Sequence, residues 1–130
     1  MANPNIVAVT AIYGNTTYYT PSGTSAVVLL PNAASSGKVF KIDNIVVSNT
    51  TASAANTTVS IYTNGAVAQG SAPSGGTAYP VASTISVPAY ASLICVDKTT
   101  AIYLQEGTSI SITSGTASAL TFSISYEDIS

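Results

Sequence analysis

Apolar residues alternate with hydroxyl-bearing ones through most of this chain. Leu120, Phe122, Ile124 and Tyr126 are separated by Thr121, Ser123 and Ser125, a period of two over seven residues. Ile110 and Ile112 alternate with Ser109, Ser111 and Thr113 in the same way. Val59 and Ile61 alternate with Thr58, Ser60 and Tyr62, and Val81, Ile85 and Val87 with Ala82, Thr84 and Ser86. One apolar and one hydroxylic face per strand is the signature of antiparallel sheet packed on one side. No stretch sustains the i, i+3, i+4, i+7 spacing of an amphipathic helix.

Further strands are predicted over residues 6–13, 26–30, 38–48, 92–97 and 101–105. Within 38–48, Phe40 and Ile42 share one parity while Ile45 and Val47 share the other. A bulge near Asp43-Asn44 would return both pairs to the core, because one extra residue shifts the parity. Leu93-Ile94-Cys95-Val96 is apolar on both parities, which predicts a central strand covered on both sides.

Turn residues punctuate these runs: Pro21-Ser22-Gly23, Pro31-Asn32, Ser36-Gly37, Asn64-Gly65, Glu106-Gly107 and Ser114-Gly115. Asn64-Gly65 and Asp97-Lys98-Thr99-Thr100 read as hairpin turns. Two longer connections, residues 49–56 and 64–78, carry neither charge nor bulky side chains. They read as flexible loops, or else as loops ordered against a neighbouring subunit. Eight to ten short strands with recurring turns predict an all-β fold, an antiparallel β-sandwich of jelly-roll-like form, with residues 1–130 as a single domain.

Composition narrows the function. Of 130 residues, 46% are hydrophobic and 6% charged, where about 25% is usual. Three lysines (Lys38, Lys41 and Lys98) face five acids, giving a net charge of -2. That argues against nucleic acid as a partner, since binding it needs clustered cationic contacts. Serine and threonine number 19 and 18. Hydroxyls in place of charges resist association poorly, which suits a chain held in an assembly. The opening Met-Ala-Asn-Pro-Asn-Ile-Val has neither the charged nor the apolar region of a secretory signal, and starting at Met1 it reads as no fragment of a longer precursor. Ala26-Val27-Val28-Leu29-Leu30 is far shorter than the ~20 residues of a membrane helix, so no membrane partner is expected.

The usual catalytic sets are missing. Histidine and tryptophan are absent, and Cys95 is the single cysteine. Zinc ligation and His-based nucleophilic chemistry therefore have no donors, and Cys95 reads as a small buried hydrophobe. Asp43, Asp97, Glu106, Glu127 and Asp128 lie at turns and ends without the facing pair a glycosidase needs. No phosphate-cradling loop or calcium loop is present, so no cofactor and no metal is expected, and the chain reads as a non-enzyme. Tyr18, Tyr19 and Tyr90 lie near turns and are the candidate interface residues, able to anchor a protein contact or to stack on a sugar.

The last third of the chain contains Val87-Pro88-Ala89-Tyr90-Ala91-Ser92-Leu93, then Ala101-Ile102-Tyr103-Leu104-Gln105-Glu106-Gly107-Thr108-Ser109-Ile110, then Phe122-Ser123-Ile124-Ser125-Tyr126-Glu127-Asp128-Ile129. This Pro-Ala turn, Tyr-Leu-x-Glu-Gly-x-Ser hairpin and closing Ser-Tyr-Glu strand resemble small virion structural proteins of tailed bacteriophages. The opening residues, with Ile12-Tyr13-Gly14, resemble proteins of marine and cyanobacterial phages. The likeness spans about half the chain. Thr108 stands where a more acidic residue is common after the Glu-Gly turn. The resemblance implies a β-sandwich component of a virion, assembled in the host cytoplasm. As a decoration (cement) protein it would bind the major capsid protein or other virion proteins as a homo-oligomer. A tail, neck or fibre subunit is the alternative within that class, and a carbohydrate-binding module the alternative outside it.

Overall fold

In the computed structural model, which describes residues 7–130, nine strands form two antiparallel sheets. They are β1 (Ile12–Tyr19), β2 (Val27–Asn32), β3 (Val39–Asn49), β4 (Ala55–Tyr62), β5 (Ala78–Val87), β6 (Ser92–Val96), β7 (Ile102–Leu104), β8 (Thr108–Ser114) and β9 (Leu120–Ile129). Sheet A runs β1-β9-β3-β6, with β7 also on β3, and sheet B runs β2-β8-β4-β5. Successive strands pass back and forth between the sheets, so nearly every neighbour in a sheet is distant in sequence. That interleaved order is the jelly roll.

The inward parity of each strand supplies the core. Leu29, Leu30, Ile42, Ile45, Val47, Val59, Ile110, Ile112, Leu120, Phe122 and Ile124 pack in one buried cluster between the sheets. The expected bulge lies where the parity argument placed it. The pairing of β3 with β9 shifts between Ile42 and Asn44, and Phe40, Ile42, Ile45 and Val47 are all buried.

Five local expectations need correction. The strand predicted over residues 6–13 begins only at Ile12 and continues to Tyr19; residue 6 lies outside the described residues. Pairing sets this limit. Upstream of the Ile12↔Ile129 pair, Thr10 and Ala11 bond only Ser130 among the described residues: its carbonyl accepts from both of their N–H groups, and its N–H donates to the Ala11 carbonyl. Secondly, Leu93–Val96 is not central, because β6 pairs with β3 alone and Ile94 points outward, 63% exposed. Thirdly, Asp97–Thr100 does not close a hairpin. It is a short 3-10 turn between β6 and β7, which follow one another along β3. The Glu106-Gly107 turn likewise carries the chain from sheet A to sheet B instead of folding a hairpin. Finally, Val81 and Ile85 are about 40% exposed while Ala82 is buried, because register shifts in the β4–β5 pairing break the alternation.

Candidate interaction face

The two outer faces of the sandwich are finished differently. On sheet B, the outward positions Val28, Ser60, Ser109 and Ser111 are buried, although they point away from the core. Residues 63–77 fold back as a strap over this side. Ser109 Oγ donates to the Asn64 carbonyl (2.9 Å), Tyr62 Oη donates to the Gly76 carbonyl (3.0 Å), and Gly70 N and Ser71 O bond the backbone of Val28 at 2.8 and 2.9 Å. Serines on the sheet let backbone approach closely, and Gly65 fits only because it lacks a Cβ, which would stand 2.0 Å from the Asn32 carbonyl oxygen. Asn64-Gly65 therefore opens this strap and is not a hairpin turn. The long connection is ordered against its own sheet.

Sheet A has no such strap among the described residues, although the pair Val39 and Ile129, on the outward parity at the Lys41–Glu127 end, is buried. Its outward side chains fall into rows set by the strand registers. One row is Thr20, Thr121, Ser48 and Ser92; the next is Tyr18, Ser123, Val46 and Ile94. Thr16, Ser125 and Asn44 follow, then Gly14, Glu127, Lys41 and Tyr103. Hydroxyls in these rows pair laterally: Thr16 with Ser125 at 2.9 Å, Thr20 with Thr121 at 2.8 Å, and Ser48 with Ser92 at 3.3 Å. A hydroxyl that loses water without a partner costs about 1–3 kcal/mol. Lateral pairing removes much of that cost before any contact is made. Tyr18, Ile94 and Tyr103 stand exposed among them.

Charge is gathered at one end of this face. Lys41 Nζ lies 3.7 Å from Glu127, and Lys38 Nζ lies 3.0 Å from Asp128 at the adjoining edge. Tyr126, beside them, has its phenol pushed up by burial, with Asp128 adding to the shift and Lys38 opposing it. Among the residues register-paired in the rows from Thr16 to Thr20, Tyr18 alone is ionisable, and Asp43 stands at the bulge beside Asn44.

The three tyrosines singled out from sequence do not form one site. Tyr18 is 70% exposed on the outer face, whereas Tyr19 turns inward and packs against the core. Tyr90 sits at the corner between β5 and β6, two residues before the Ser92 row, and is 74% exposed. Its φ of 55° is a conformation that costs a side-chain-bearing residue about 1–2 kcal/mol. Ile94 and Tyr103 were missed as surface residues. Their signal was present as apolar side chains on the parity opposite to Leu93 and Leu104, and it reads as burial until the strand is known to be an edge.

Three further chemistry-bearing groups are engaged structurally. Glu106 accepts from the backbone N–H groups of Ser35 and Gly37, each at 3.1 Å, and so holds the β2–β3 turn. Asp97 caps the 3-10 turn, and bonds from Thr99, side chain first, hold its carboxyl below the usual range. Cys95 is half-buried, with its thiol pushed up to about 11 by burial. Among the described residues no three His, Cys, Asp or Glu side chains are grouped to hold a metal ion, and no helix is long and apolar enough to cross a membrane. Compared with known proteins, the chain matches no family model, no curated protein and no solved structure.

Proposed function

We propose that this chain is a non-enzymatic structural protein of a virion, a decoration protein that coats a capsid through the outer face of sheet A. The observation that carries this reading is the contrast between the two faces: one strapped by its own loop, the other a bare platform of paired hydroxyls with exposed apolar side chains. A surface of that kind dehydrates cheaply and gains from burying Tyr18, Ile94 and Tyr103. It offers a partner few charges, so attachment rests on apolar and hydroxyl contacts repeated over many copies. The resemblance of the last third of the chain to phage virion proteins points the same way.

The test is quantitative mass spectrometry and imaging of purified particles that carry the protein. Hundreds of copies on the shell, retained when salt is raised to about 1 M, are expected, because contacts of this type are weakly screened. Ile94→Ser should keep the fold and lower shell occupancy about tenfold, which corresponds to about 1.4 kcal/mol per site. A few dozen copies at the tail would move the protein to a tail or fibre role. Absence from particles, or saturable glycan binding abolished by Tyr18→Ala, would overturn the proposal.

A further inference from the structure

Each sheet of a sandwich has two edges, and three of the four here are guarded. The edge of β2 is bonded by Gly70 and Ser71 of the strap. β5 is broken by register shifts, contains Pro80, and holds Thr84 at a φ of 51°. On the far side of sheet A the edge is divided between β6 and β7 by the turn Lys98–Thr100. Proline, bulges and interruptions of this kind are how proteins prevent strand addition. The remaining edge, β1, has none of them among the described residues. Its eight residues, IYGNTTYY, run in unbroken register with β9 and include no charge and no proline. The strap reaches β1 only at the inward-facing side chains of Thr17 and Tyr19 and bonds none of its backbone.

The direction of the free backbone groups follows from the pairing with β9. Ala11 and Ser130 exchange both of their hydrogen bonds, so the odd-numbered residues of this unbroken register turn their N–H and C=O toward β9. Ile12, Gly14, Thr16 and Tyr18 turn theirs to the open edge. Antiparallel pairing with a second copy, centred on Asn15, matches these four residues with each other and leaves none of their backbone groups over. Ile12 then lies opposite the partner's Tyr18, two exposed apolar side chains on the same outer face, and Thr16 lies opposite Gly14, which offers no side chain to obstruct it.

We infer that β1 pairs with β1 of a second copy across a two-fold axis at Asn15, joining two copies of sheet A into one continuous sheet. The axis is perpendicular to the sheet, so both outer faces lie on one side and form a single platform of twice the extent. The dimer rests on the edge geometry alone and stands whether or not the protein coats a capsid. A monomeric protein would overturn it and leave the coat reading to its own particle test.

The experiment measures the mass of the full chain in solution and cross-links it in a Cys95→Ser background. The expected mass is twice the 13.0 kDa of the chain. Asn15→Cys should form a disulfide-linked dimer on mild oxidation, because the two Asn15 Cα atoms face each other at about 4.5 Å. Thr16→Cys should not, since a rise of about 3.4 Å per residue and a strand spacing of about 4.8 Å separate its two copies by about 8 Å. Thr16→Pro removes an edge donor and should give a folded monomer. Should that variant fail to fold, Tyr18→Lys, at an exposed position, should raise the dimer dissociation constant at least tenfold. A monomeric wild type, a dimer that survives the edge variants, or cross-linking through Thr16→Cys in place of Asn15→Cys would each overturn the proposal.

Discussion

Two buried asparagines fasten the sheets to each other at opposite ends of the sandwich, and removing either should be costly. Asn32, at the end of β2 in sheet B, is 1% exposed. Its Nδ2 donates to the Leu104 carbonyl of sheet A at 2.9 Å and to the Lys38 carbonyl at 3.0 Å, while Oδ1 accepts from Ser36 Oγ at 2.6 Å. Asn49, at the end of β3 in sheet A, mirrors it. Its Nδ2 reaches the Val87 carbonyl of sheet B at 3.0 Å and the Ser53 carbonyl at 2.8 Å, and Oδ1 accepts from the Thr51 N–H and hydroxyl. Each bond contributes about 1 kcal/mol net, and a buried carbonyl stranded without a donor costs more than that. Asn32→Ala should therefore lose about 3–4 kcal/mol. At this chain length that corresponds to a fall in Tm of roughly 10–15 °C.

Urea unfolding followed by circular dichroism, at one fixed protein concentration, measures the loss as a lower midpoint with unchanged slope. Asn49→Ala should match it. The two sites share no partner, so the double variant should be additive within about 0.5 kcal/mol. Asn32→Asp should be worse than Asn32→Ala at neutral pH, because it aims a carboxylate at two carbonyl oxygens. Burial there raises the introduced acid's pKa, so its stability is recovered on acidification below about pH 4 and lost as pH rises. A loss below about 1 kcal/mol for Asn32→Ala, no larger than that of exposed Asn56→Ala, would refute the reasoning.

Three further outcomes follow from single groups. Thr57 Oγ1 is buried without a hydrogen-bond partner, so the isosteric Thr57→Val should raise stability by about 1 kcal/mol in the same urea assay; a loss of stability would count against it. The Cys95 thiol is raised from 9.0 to about 11, so above pH 9 the unfolded chain releases a proton that the folded one keeps, and stability falls as pH rises toward 11. Cys95→Ser should flatten that alkaline slope, and the wild-type thiol should react slowly with a disulfide reagent at pH 8; equal slopes or fast labelling would contradict the burial argument. Gly65→Ala should lift the strap off sheet B, costing about 1–3 kcal/mol and exposing residues 63–77 to limited proteolysis, whereas an unchanged cleavage pattern would mean the strap is not held there.

Local alternation was legible wherever a strand has neighbours on both sides in its sheet. For β8 and β9 the inward set could be named from sequence, and for β3 even the bulge at Asp43-Asn44 followed from a parity conflict. Legibility failed at the edges. An edge strand need not alternate, because it is covered on one flank only, and so Val81 and Ile85 of β5 were read as inward and β6 was read as covered on both sides. The strap was misread for a related reason. Its residues are small and uncharged because they lie against a sheet, but that composition is shared by flexible loops. Asn32 and Asn49 looked like turn residues, since asparagine is common in turns; nothing local distinguishes a buried inter-sheet donor from an Asx turn. The interleaved strand order depends on contacts far apart in sequence, which periodicity does not carry.

The scarcity of charge acquires a location from the fold. Two of the three lysines and two of the five acids pair at one end of sheet A, around Lys38, Lys41, Glu127 and Asp128. The opposite end of the same face, from Thr16 to Thr20 and across to Ser92, is made of hydroxyls, the Asn44 amide and apolar side chains. A solvated monomer gains nothing from that segregation, since scattered charges would serve solubility better. A platform that is dehydrated on docking does gain, because an uncompensated charge beneath a partner costs several kcal/mol, while a paired hydroxyl costs little. Introducing a charge separates these two accounts. Ser123→Lys, in the middle of the Tyr18–Ile94 row, should leave folding stability within about 0.5 kcal/mol, as for other surface substitutions. If the face docks, it should abolish attachment while improving solubility; if attachment survives at wild-type level, the partner sits elsewhere.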